Sequence, residues 1–72
     1  MKRYFKNSAE YKWTISKFIE YDTETKESFL HFINNCEPVN YSEFITLEGL
    51  LKNVEEGKMI EIKNPFKKLR IG

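Results

Sequence analysis

The chain has 72 residues, a formal net charge of +1 and a hydrophobic fraction of 40%. This length predicts one domain with a thin core, because chains of about 60 residues bury only about 60% of their unfolded surface. The balanced charge excludes a strong overall attraction to nucleic acid or lipid, and no apolar run approaches the roughly 20 residues that cross a membrane.

The first ten residues allow two interpretations. Tyr4 and Phe5 lie among Lys2, Arg3 and Lys6. They are compatible with a short edge strand or with a loose arm over the core.

Residues 12–34 predict a β-hairpin. Six polar residues, 22–27, separate two flanks rich in β-branched and aromatic residues. Asp22 and the neighbouring threonines suit a turn, and four- or five-residue loops commonly connect hairpin strands. If Asp22 faces Glu27, then Tyr21 opposes Ser28 and the pairing continues outward along both strands. The expected further pairs are Ile19 with Leu30, Lys17 with Phe32, and Ile15 with Asn34.

This register divides the hairpin into two faces, because successive side chains of a strand alternate. The expected core face holds Trp13, Ile15, Lys17, Ile19, Tyr21, Leu30 and Phe32. The opposite face carries a second apolar group, which is Phe18, Phe29, His31 and Ile33. Exposed apolar rings need a reason, and two are open: this face binds a partner, or the tail covers it through Phe66, Leu69 and Ile71.

Two helices are the rival interpretation of the same segment. Tyr11, Ile15 and Phe18 recur at helical spacing, as do Phe29, Phe32, Ile33 and Cys36. The polar turn and the β-branched flanks favour strands over helices.

Residues 34–40 are predicted to be a connection, because Asn and Pro interrupt regular structure. Residues 41–45 fit a short third strand or a turn leading into a helix. Residues 46–56 predict that helix, with Thr46 as N-cap and Gly57 as its stop. The expected buried stripe is Leu47, Leu50, Leu51 and Val54.

Residues 58–63 alternate as a strand, with Ile60 and Ile62 expected to face the helix, and Pro65 ends it. The predicted fold is a small α+β domain. An antiparallel sheet of three to four strands packs on one helix in two layers.

No catalytic, metal or cofactor site is expected. His31 is the one histidine and Cys36 the one cysteine, and their spacing matches no common zinc pattern. A lone cysteine excludes an internal disulfide and fits a reducing, cytoplasmic location. No secretory signal pattern is visible.

The basic residues are concentrated at the two ends, whereas every acid lies between residues 7 and 62. If the ends converge, they form a patch for phosphate or for an acidic partner. Its members are Lys2, Arg3, Lys6, Lys63, Lys67, Lys68 and Arg70. The alternative is that basic ends simply keep a small protein in solution.

These features favour a small non-enzymatic regulator or inhibitor that binds another protein through the aromatic hairpin face, of the compact kind found in mobile elements. Two other functions are open. The basic ends could bind nucleic acid, although the hairpin carries four acids that would repel it, which are Glu20, Asp22, Glu24 and Glu27. A homo-oligomer could form through edge strand 60–63 or the tail.

Overall fold

The predicted hairpin is present in the computed structural model, which describes residues 1–9, 16–34 and 37–66. Its strands are β2 (Lys17–Asp22) and β3 (Ser28–Phe32). The predicted pairs Tyr21–Ser28, Ile19–Leu30 and Lys17–Phe32 are confirmed. The predicted pair Ile15–Asn34 lies outside the described residues, as do Trp13 and Tyr11.

The hairpin turn forms as its chemistry suggests. The Asp22 amide donates to the Glu27 carbonyl at 2.9 Å, which closes the loop. Asp22 Oδ1 accepts from the amides of Glu24 and Thr25 at 2.8 and 3.3 Å. These bonds, the one to Glu24 first, lower the pKa of Asp22. Such bonds favour this turn, and the turn sets the register of the two strands.

The α+β class is confirmed, but the sheet has five strands in the order β4-β3-β2-β1-β5. The first strand, β1 (Lys2–Asn7), is interior and lies between β2 and β5. The expectation of an edge strand or loose arm is therefore wrong. The cause is that Phe5 is 0% exposed, and so large a ring is stabilised far more in the core than at an edge.

The fourth strand, β4 (Val39–Asn40), is a two-residue edge strand inside the segment predicted to be a connection. It pairs with Phe29 and Leu30 of β3. Residues 41–45 form the lead-in turn rather than a strand, because the amides of Phe44 and Ile45 both donate to the Tyr41 carbonyl at 2.9 Å.

The predicted helix is α1 (Leu47–Glu55). Thr46 caps it by accepting from the Gly49 amide at 3.1 Å. Gly57 ends it with φ of +78°, a conformation that side chains disfavour. The last strand, β5 (Met59–Ile62), follows at once and pairs with β1. In the described part of the chain, no helix is long and apolar enough to cross a membrane.

The sheet has two unlike faces. The helix face, which packs on α1, carries the core cluster of Phe5, Tyr21 and Leu50. Leu47 and Val54 also face this core, whereas Leu51 of the predicted stripe is 39% exposed.

Pairing with β1 puts Met59 beside Asn7 and Glu61 beside Phe5, on the helix face. The expectation that Ile60 and Ile62 face the helix is therefore wrong. They lie on the outer face, where they pair with Lys6 and Tyr4.

Replacing Phe5 by Ala tests the role of β1. We expect a loss of about 3–5 kcal/mol, because a fully buried ring leaves both its transfer energy and a cavity. That is comparable with the whole stability of a domain this small. Urea unfolding followed by circular dichroism measures it.

Phe44→Ala is the matched control, since Phe44 is 78% exposed. It should change the free energy of unfolding by less than about 0.5 kcal/mol. Equal losses in the two variants would contradict the assignment of Phe5 to the core.

Candidate functional site

The outer face gathers the aromatic residues that the sequence singled out. Phe18 and His31 are cross-strand neighbours, as predicted, and their rings stack at 4.9 Å between centroids with an angle of 11°. Phe66, from the segment after β5, packs edge-on against both, at 5.3 Å and 5.1 Å. Tyr4 joins from β1, at 6.2 Å from Phe18 and 6.1 Å from Phe66.

This packing changes the expected partner surface. Phe18 is only 3% exposed, so the expectation that it is an exposed contact residue is wrong. Phe66 covers it, as the alternative interpretation of the tail required, whereas Leu69 and Ile71 lie outside the described residues. Phe29 and His31 are half-buried, and Ile33 at 43% is the most open of the four.

A buried carboxylate, Glu20, sits among these rings. Glu20 is 8% exposed, and its Oε1 accepts from His31 Nε2 at 3.1 Å. Lys2 Nζ lies 3.6 Å from its other oxygen. Sequence reasoning assigned Glu20 only a repulsive role. His31 belongs to the predicted hairpin, whereas Lys2 belongs to β1, whose pairing with β2 the sequence did not predict.

Tyr4 lies opposite Glu20 in the sheet, and the pKa of Tyr4 depends on this carboxylate. Burial raises the pKa of Tyr4 above its ordinary 10.0, and the charge of Glu20 and a hydrogen bond to it raise it further. The carboxylate of Glu20 thus lies beneath the aromatic side chains of the outer face, with His31 and Lys2 as its partners.

The predicted basic patch is partly assembled. Pairing of β1 with β5 brings the two ends of the sequence together. However, Lys2 faces Glu20, Lys6 is 1% exposed with Nζ 3.3 Å from the Asn7 carbonyl, and Lys63 is exposed. Lys67, Lys68 and Arg70 lie outside the described residues.

Arg3 also forms an ion pair, with Glu61 of β5. It donates two hydrogen bonds of 2.7 Å to Glu61, and its guanidinium carbon lies 5.7 Å from the Phe5 ring centroid. These bonds lower the pKa of Glu61. The described part of the patch therefore offers phosphate few uncommitted cations.

A groove on the helix face is the feature that sequence reasoning missed. It consists of two adjoining depressions of about 250 and 270 Å³ that share Ile19, Asn53 and Met59. We call it the helix-side groove. Leu30 and Ile19 contribute to its floor, and the α1 residues Gly49 and Asn53 form one wall.

The groove exists because the helix is narrower than the sheet. Five strands span about 19 Å at the usual 4.8 Å spacing, and a helix with its side chains is about 10–12 Å across. The α1 helix lies over the β5 side. Within the described residues, α1 leaves part of the helix face uncovered near Lys17 and Phe32, which are both exposed.

Exposed apolar side chains border this groove. Val39 pairs with Leu30, and Phe32 lies two residues along the same strand, so both share the helix face. They are 41% and 40% exposed, and Phe44, which lines the groove, is 78% exposed. Lys17 and Lys58 line the other end of the groove and are exposed. The surface is apolar with a basic rim.

No group of three or more His, Cys, Asp or Glu side chains that could hold a metal occurs among residues 1–9, 16–34 and 37–66. Comparisons with protein-family models, curated protein sequences and solved structures found no match.

Replacing Glu20 by Gln tests the buried cluster. The pKa of Tyr4 should fall when the charge is removed, yet stay above 10.0, because burial is the largest cause of its rise. Ultraviolet absorbance of tyrosinate across an alkaline titration measures it, with Tyr4→Phe identifying which transition belongs to Tyr4.

The same titration has a stability consequence. A pKa raised in the folded state means that the folded chain holds this proton more tightly than the unfolded chain does. Tyr4 therefore contributes stability that is present below pH 10.0 and is lost as pH rises through the raised pKa. Tyr4→Phe should lose less stability over that range than the wild type, and equal losses would contradict the assignment.

Proposed function

We propose that the protein is a small non-enzymatic protein-binding regulator that holds an amphipathic, acidic helix of a partner protein in the helix-side groove. The observation that carries this proposal is the apolar surface made by Phe32, Val39 and Phe44 around Ile19 and Leu30. Apolar side chains exposed together commonly mark a binding surface.

A helix is the occupant that fits the dimensions. Packed helices lie about 8–10 Å apart, so a sheet about 19 Å wide has room for one helix beside α1. Such a helix would lie beside α1 and extend the helical layer that packs on the sheet. Gly49 in the groove wall has no side chain, which favours close approach of a neighbouring helix.

The charges around the groove define the partner's chemistry. Lys17 and Lys58 flank one end, so acidic residues on the partner helix would meet opposite charge. Charge complementarity adds specificity and association rate more than affinity. The affinity comes from apolar side chains of the partner at i, i+3, i+4 and i+7, as in other helix-in-groove complexes.

We also propose that this regulator acts in the cytoplasm. The one cysteine of the chain supports a reducing compartment. Its small size and lysine- and isoleucine-rich composition support an origin in a phage or another mobile element.

A photo-crosslinking residue at position 44, introduced in cells of the source organism, identifies the occupant. Mass spectrometry of the cross-linked peptide should return a segment with helical apolar spacing and flanking acids. Cross-linking to a second copy of this chain, or to a segment without that pattern, would contradict the proposed occupant.

Adjacent residues of β3 and the following turn provide a matched pair of variants for the partner so identified. Phe32 and Ile33 are 40% and 43% exposed, but their side chains point to opposite faces of the sheet. Phe32→Ser should weaken binding by about 1–2 kcal/mol, the range typical of an important contact residue. Ile33→Ser should have little effect.

Isothermal titration calorimetry measures both affinities, and urea unfolding checks that each variant is folded. The reverse pattern, with Ile33→Ser as the damaging change, would place the partner on the outer face with Phe29 and His31. If neither substitution changes the affinity, the partner binds to neither face of the hairpin.

A further inference from the structure

Among residues 1–9, 16–34 and 37–66, β5 is the last strand of the sheet on its side and has a neighbour only in β1. Ser8 N–H donates to the Lys58 carbonyl at 3.1 Å, which sets the direction of the backbone groups that follow. Because these directions alternate in antiparallel pairs, Ile60 and Ile62 bond to β1, whereas Met59 and Glu61 point their N–H and C=O groups outward. Within the described ranges, no strand or loop pairs with these outward groups.

The opposite edge of the sheet is protected differently. There β4 has only two residues, Val39 and Asn40, and the turn at Tyr41–Phe44 follows directly. Short edge strands are one way in which proteins avoid unwanted strand pairing. The four-residue β5 lacks that protection.

We propose that β5 pairs antiparallel with the β5 strand of a second copy of this chain, joining two sheets into one. A two-fold axis sets outward-pointing residues against each other, and the axes that pair most of the four-residue β5 pass beside Ile60 or beside Glu61. The two registers differ in the side chains that they bring together.

The register centred on Glu61 is the self-complementary one. It sets Ile60 of each copy against Ile62 of the other, which gives two apolar cross-strand pairs on the outer face. Ile60 is 36% exposed in the single chain, so this pairing removes apolar surface from water. The register centred on Ile60 would instead oppose Lys58 to Ile62.

The negative charge of Glu61, at the centre of this interface, already has a partner within each chain. Two Glu61 side chains would face each other, and like charges opposed across strands are destabilising. Each carboxylate, however, already accepts two 2.7 Å hydrogen bonds from Arg3 of its own chain. The interface therefore brings together two neutral ion pairs rather than two bare acids.

Replacing Glu61 by Pro tests the contact. Proline removes the N–H that points outward and leaves the bonds of Ile60 and Ile62 to β1 in place, which is why proline is tolerated at sheet edges. Glu61→Ala is the matched control, because it also removes the ion pair with Arg3 but keeps the N–H.

Sedimentation equilibrium, from low micromolar to near-millimolar concentration, measures the dimer. Wild type and Glu61→Ala should dimerise, and Glu61→Pro should weaken the dimer by about tenfold or more, since two symmetry-related hydrogen bonds are lost. Circular dichroism establishes that each variant is folded. If Glu61→Pro does not fold, Ile60→Lys, which changes only the outer-face side chain, replaces it with the same expectation.

A wild type that stays monomeric at every concentration would overturn the proposal. A dimer of undiminished strength in folded Glu61→Pro or Ile60→Lys would also overturn it, because the contact would then lie elsewhere. Phe32→Ser should leave dimerisation unchanged, so this result is independent of partner binding in the helix-side groove.

Discussion

The contact of Phe5 with Leu50 and Tyr21 is the interaction on which the described architecture depends. The hairpin strands and β5 lie on opposite sides of β1 and do not pair with each other. The β1 strand therefore joins the two halves through hydrogen bonds on both of its edges. Burying Phe5 under the helix adds the apolar energy that a short strand lacks by itself.

The two faces of the sheet are covered by different parts of the chain. The outer face is covered by Phe66 from the segment after β5, and it encloses the carboxylate of Glu20, which His31 and Lys2 contact. The helix face is covered by α1, which within the described residues leaves part of it uncovered near Lys17 and Phe32. The expected core face is thus the one on which described apolar side chains, Phe32 and Val39, stay exposed, and this exposure motivates the proposed partner helix.

Local signals predicted the hairpin and the helix, because turn hydrogen bonds, caps and alternation lie within a few residues of each other. The role of β1 was not predictable in this way. Its neighbours are distant in sequence, and Lys6, which reads as a solvent residue, is buried. The helix-side groove was invisible for a related reason, since it depends on where a helix rests on the sheet rather than on any motif.

The orientation of β5 shows the limit of periodicity most clearly. Alternation separates Met59 and Glu61 from Ile60 and Ile62, but it does not say which pair faces the helix when both faces are covered. The more apolar pair was the natural choice for the core.

The position of Arg3 accompanies the opposite arrangement, with Glu61 and not an isoleucine on the helix face. On the helix face, beside Phe5, Arg3 gives Glu61 a bidentate partner, so the acidic residue can stand where an isoleucine was expected. With Glu61 on the helix face, Ile60 and Ile62 lie on the outer face. The same ion pair would compensate the charge of Glu61 in the proposed contact between two β5 strands.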